Sequence, residues 1–101
     1  MIEMNGSDKQ IAWALRIRNV VTESLKALAD ACAEDISGAR EDDDEREQAF
    51  IVKRRSRLDA CQKMMGIIEK MNDAKFWIEN ENQLYRASQN NPESFLTFME
   101  Y

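Results

Sequence analysis

The side chains with the most scope for chemistry are charged, and they fall in two opposed runs. Glu41-Asp42-Asp43-Asp44-Glu45 sets five carboxylates in succession, and Lys53-Arg54-Arg55-Ser56-Arg57 sets four cations within five residues. A calcium loop alternates ligands with spacers and needs a glycine at its sharp turn. Five consecutive carboxylates point in different directions, so the acidic run reads as a solvated connector, not a metal site. The basic run is the best argument for nucleic acid, because Lys53 and Arg57 lie one helical turn apart and could bridge phosphates. Lys53, Arg54, Arg55 and Arg57 are therefore the candidate nucleic-acid contacts, with Arg16 and Arg18 as extensions. Glu47 and Asp59 flank the run and no aromatic residue interleaves it, so charge pairing within the chain is its plainer reading.

Catalysis has little to work with. The chain has no histidine, which removes the commonest general base and metal ligand. It has no Gly-rich phosphate loop and no Cys-x-x-Cys pair. Cys32 and Cys61 are isolated thiols with no evident activating neighbour. The chain is expected not to be an enzyme, to need no cofactor and to hold no metal.

Composition bounds the framework. The 101 residues allow one domain with one modest core. Hydrophobic residues make up 44% and charged residues 33%, with only three glycines and one proline, which suits a folded helical chain. A net charge of −5 argues against general attraction to nucleic acid or anionic membrane. The 19 acids are interleaved with 14 Lys and Arg residues, which also argues against imitation of a phosphate backbone. No stretch approaches the ~20 apolar residues of a membrane span, and two cysteines on apolar stripes fit a reducing compartment. A cytoplasmic address follows as the expectation.

Hydrophobic spacing then divides the chain. Ser7-Asp8-Lys9-Gln10 has the pattern of a capping box. Apolar residues recur at threes and fours from Ile11 through Leu15, Val21, Leu25, Leu28 and Cys32 to Ile36, predicting a helix over about 8–36. Ser37-Gly38 marks its stop, Gly38 suiting a left-handed cap. An acidic connector over about 37–44 offers aspartates as caps for a second helix over about 45–71. Its stripe runs Phe50/Ile51, Arg54, Leu58, Cys61, Met64/Met65, Ile68 and Met71. A third helix starts near 73, ending either near 80 or near 88. Asn91-Pro92-Glu93 opens a last short helix over about 92–100. The expected fold is all-α: a long antiparallel helical hairpin with short C-terminal helices across its open end. In the expected register Leu25 lies near Leu58 and Leu15 near Ile68, and the C-terminal aromatics pack around Trp13 and Ile17.

A second apolar face on the first helix (Trp13, Ile17, Val20) and a stripe on the second (Ala60, Met64, Ile67, Met71) exceed what one seam consumes. Trp13, Ile17, Val20 and Met64 are the candidate partner-facing residues. The expected function is a small non-enzymatic protein-binding module, with a second copy of the chain as one candidate partner. A nucleic-acid-binding accessory protein and a structural subunit of a larger assembly are the alternatives.

Two short blocks carry a resemblance. Lys9-Gln10-Ile11-Ala12-Trp13-Ala14-Leu15-Arg16-Ile17-Arg18 resembles the opening of small helical proteins of phages and plasmids that read Lys-Gln-Ile-x-Trp-Ala-x-x-Ile-Arg. Ala74-Lys75-Phe76-Trp77-Ile78 resembles a second block of such proteins, usually Trp-Trp where this chain has Phe76-Trp77. Leu15 departs too, standing where an acidic residue is common. The blocks cover under a fifth of the chain. The resemblance implies an accessory protein of a mobile element that binds a host protein, as anti-CRISPR inhibitors do.

Overall fold

The computed structural model describes residues 3–40 and 44–99 of the chain, and within them the fold is all-α. Five helices follow in order: α1 (Asp8–Ser37), α2 (Glu45–Ile68), α3 (Ala74–Glu79), α4 (Glu81–Asn90) and α5 (Pro92–Met99). α1 begins where its cap demands. Gln10 N–H donates to Ser7 Oγ at 3.2 Å, and Ser7 N–H donates back to Gln10 Oε1 at 3.0 Å, so two donors at the helix end are satisfied reciprocally. Asp44 caps α2 by accepting from Glu47 N–H at 2.9 Å. Gly38 ends α1 in right-handed geometry (φ −84°), not the left-handed cap expected of it.

α1 and α2 form the expected hairpin with a different register. Arg54 meets Asp35 at 2.7 Å, which sets the two helices level at those residues. Equal rise along both helices then brings Cys61 level with Leu28 and Ile68 with Val21, about six residues away from the expected Leu25–Leu58 and Leu15–Ile68 pairings. Beyond the end of α1, Gly38, Ala39 and Arg40 line one hollow with Glu47, Phe50 and Ile51 of α2. In this register α2 overhangs the end of α1 by about two turns, roughly 10 Å. Every residue from Asp44 to Phe50 is exposed as a result.

α2 ends at Ile68, three residues before the expected 71. Its last N–H groups shift to i−3 carbonyls, Lys70 onto Ile67 and Met71 onto Ile68, tightening the turn. The chain beyond is captured by the N-terminal segment. Asn5 N–H donates to the Asn72 carbonyl at 2.6 Å, and Ala74 N–H donates to the Asn5 carbonyl at 2.9 Å. Gly6, at φ +148°, makes that approach feasible, since a Cβ there would sit 3.0 Å from Ala74 Cβ. The third helix both breaks and continues. The Asn80 carboxamide donates to the Phe76 carbonyl at 2.9 Å and competes with the helical ladder, and α4 resumes one residue later and runs to Asn90.

α3 and α4 pack on α1, and α5 packs on α2 and α4, making a second layer over the base of the hairpin. The core lies between the layers: Ala14, Ile17, Val21, Leu25, Cys61, Met64, Ile68, Trp77, Leu84 and Phe95 are all buried. Burying each large side chain contributes about 1.5–3 kcal/mol before conformational entropy is subtracted. Trp77 is wholly enclosed, and its indole N–H donates to the Met71 carbonyl at 3.1 Å, leaving no buried donor unmet. The fold spans 56 × 24 × 20 Å, so the distal half of the hairpin projects beyond the second layer. No helix among the described residues is long and apolar enough to cross a membrane.

Candidate functional site

The four residues expected to face a partner separate into two pairs. Ile17 and Met64 are completely buried in the core, which corrects their assignment: a side chain with no exposed area cannot meet another protein on the folded surface. Trp13 remains 45% exposed and Val20 44% exposed. Helical geometry explains the split. At 3.6 residues per turn, Trp13 and Val20 lie within about 20° of each other, while Ile17 sits about 40° from Trp13 toward the core. The C-terminal layer covers Ile17 as expected and stops short of Trp13.

The flank that carries Trp13 and Val20 has a polar border from α4. Tyr85 is half-buried, and burial pushes its phenol above the ordinary value, helped by the hydrogen bond that its O–H donates to the Glu81 carboxylate. Arg16, between Trp13 and Val20 in the chain, is near enough to pull the Tyr85 value the other way. Trp, Tyr and Arg around an apolar centre is the composition that dominates the energetics of protein–protein contacts. Tyr85 was not singled out from the sequence. Its proximity depends on the kink at Asn80, which no periodicity signals.

The basic run does not form one surface. Arg54 is held by Asp35 across the hairpin, with Phe50 stacked on it 5.4 Å from guanidinium carbon to ring centroid. The hydrogen bond to Asp35 raises the Arg54 value and keeps it charged. Arg57 points to Glu93 of α5 at 3.5 Å. Lys53 and Arg55 are exposed, but they lie on nearly opposite sides of α2, about 160° apart. A phosphate backbone tracking α2 would meet one of them at a time, and the other two cations are already engaged. As for the proposed extensions, Arg16 borders α4 and Arg18 lines a groove on the far face of the hairpin, so neither joins the run.

The thiols are poor nucleophiles. Cys32 and Cys61 are both buried, and burial pushes Cys61 up to about 11, with the charges of Cys32 and Glu93 adding to the effect. Among the described residues no three His, Cys, Asp or Glu side chains cluster as metal ligands. The acidic run from Glu41 to Asp43 lies outside the described residues.

Two further surfaces escaped the sequence reading. Phe50 (50% exposed) and Val52 (64%) stand on the overhanging turns of α2. A groove of about 630 Å³ runs between α1 and α2 on the face away from α3–α5, lined by Arg18, Thr22, Lys26, Met65, Ile68, Glu69 and Lys70. No protein-family model, no curated protein and no solved structure matches this chain.

Proposed function

We propose that this chain is a non-enzymatic protein-binding module that engages its partner through the outer flank of α1, with Trp13 and Val20 at the centre and Arg16 and Tyr85 at the border. The observation that carries the reading is Trp13. A tryptophan buries more apolar area than any other side chain when given the chance, yet this one is left 45% exposed beside a core that wholly encloses Trp77. Val20, one heptad along, extends the same apolar line. The lack of histidine and the burial of both thiols support the non-enzymatic part of the reading.

The setting is proposed on the two-block resemblance alone: an accessory protein of a phage or plasmid that occupies a host protein, in the manner of an anti-CRISPR inhibitor. The two blocks meet in the fold, since Ala14 and Ile17 share the core with Ala74 and Trp77. Packing accounts for those four residues and leaves nearly half of Trp13 exposed. The test compares Trp13→Ala and Val20→Asp with the parent chain in co-purification from cells that express them. The proposal expects specific partners of the parent to be lost from both variants while helicity is unchanged. Partners retained at full yield by both variants would overturn the assignment.

A further inference from the structure

Residues 4–6 form a strap across the turn between α2 and α3. Met4 is buried against the core, and Asn5 bridges to Asp73. The Asn5 N–H donates to the Asn72 carbonyl, and the Asn5 carbonyl accepts from the Ala74 N–H. Two backbone hydrogen bonds and one buried side chain are a slight hold, which places opening of the strap toward the low end of local unfolding.

The strap also carries a reactive pair. Asparagine amides are thermally labile. The backbone nitrogen of the following residue attacks the side-chain carboxamide, and a side chain on that residue obstructs the attack. Of the seven asparagines only Asn5 precedes a glycine, and Asn91 precedes Pro92, whose nitrogen has no proton to lose. The fold keeps the glycine in place: a Cβ on Gly6 would sit 3.0 Å from Ala74 Cβ and 3.1 Å from Gln10 Oε1, on a backbone at φ +148°. Asn5 is exposed, and among the described residues nothing hydrogen-bonds its carboxamide or the Gly6 N–H. The packing that closes the strap on α3 thus excludes the side chains that would shield Asn5.

We propose that Asn5-Gly6 is a deamidation site whose conversion releases the strap from α3 irreversibly. The Gly6 nitrogen loses its proton and attacks Asn5 Cγ. The new C–N bond closes an imide ring, and the carboxamide nitrogen leaves as ammonia. Water then breaks one C–N bond of the ring. Cleavage at Cγ leaves aspartate, and cleavage at the main-chain carbon leaves isoaspartate, whose chain runs through Cβ and Cγ. Ring closure must turn the backbone that the two hydrogen bonds fix, so the reaction waits for the strap to open. Either product then opposes reclosure. Aspartate puts a carboxylate at the position bridged to Asp73. Isoaspartate lengthens the main chain by a methylene and turns the carbonyl that accepts from Ala74 into a free carboxylate.

The test holds the full chain warm at mildly alkaline pH, maps its peptides by mass, and measures amide exchange at Ala74 in converted and unconverted fractions. The expected result is an amide-to-acid mass gain at Asn5, with isoaspartate present and the other asparagines intact. In the converted fraction the Ala74 amide should lose at least about tenfold of its protection. Met4→Ala loosens the strap and should speed conversion at least about tenfold with helicity retained. Asn5→Gln keeps the backbone bridge, closes the larger ring far less readily, and should stay unmodified. An Asn5 that survives in the folded chain while the urea-unfolded chain converts overturns the proposal. So does conversion that is indifferent to Met4→Ala, or that leaves Ala74 as protected as before.

Discussion

Gly66 is the only glycine inside a helix, and the structure shows no reason for it. A Cβ built at Gly66 meets no atom within 4 Å, so alanine fits without displacing anything. Glycine in a helix interior costs about 0.5–1 kcal/mol relative to alanine, because it loses more backbone freedom on folding. Gly66→Ala should therefore stabilise the chain by about 0.5–1 kcal/mol, chiefly by restricting the unfolded state. For a domain of this size that is a rise in Tm of roughly 2–8 °C. Gly6→Ala is the matched opposite. There the backbone sits at φ +148° and the new methyl would lie 3.0 Å from Ala74 Cβ, so about 1–3 kcal/mol should be lost. Urea titrations of both variants, at one fixed protein concentration, read both signs. If Gly66→Ala lowers the urea midpoint, or Gly6→Ala leaves it unchanged, then the helix continuity at 66 or the tight approach of residues 5–6 to α3 is wrong.

The remaining predictions concern the thiol, the two tryptophans and the basic run. Cys61 is raised in the folded state from an ordinary value of 9.0 to about 11, so the unfolded chain loses that proton first. Stability from this group is complete below pH 9, falls between 9 and 11, and levels off above, a loss of roughly 2–3 kcal/mol. Urea midpoints across that range should fall accordingly, and Cys61→Ala should flatten the slope, leaving the contribution of Tyr85. Trp77→Ala should cost about 3–5 kcal/mol and Trp13→Ala far less, while acrylamide should quench Trp13 emission and spare Trp77. Filter binding at low salt should retain neither DNA nor RNA, because Arg54 and Arg57 are engaged and Lys53 and Arg55 diverge; retention that weakens steeply with salt would contradict this geometry.

What the sequence disclosed was local. The Ser7–Gln10 box, the Asn91-Pro92 start and the three-and-four spacing of α1 follow from interactions within a turn or two, and the structure bears them out. What escaped was set by distant parts of the chain. The overhang of α2 follows from the register that Arg54 and Asp35 set across the hairpin, and the early end of α2 from hydrogen bonds to Asn5. The division of the Trp13-Ile17-Val20 face followed the same logic. Spacing placed all three on one side of α1, but where burial stops was decided by the path of α4. Met64 illustrates the converse, since α5 fills the side of α2 that periodicity left open.

The central claim is that the Trp13 flank is where another protein sits. A photo-activatable cross-linking residue at position 13, compared with one at the still more exposed position 52, tests it most directly in cells expressing the chain. The account predicts discrete adducts with a protein other than the chain itself from position 13, and only background from position 52. Equal labelling from the two positions, or discrete adducts from 52 alone, would contradict it.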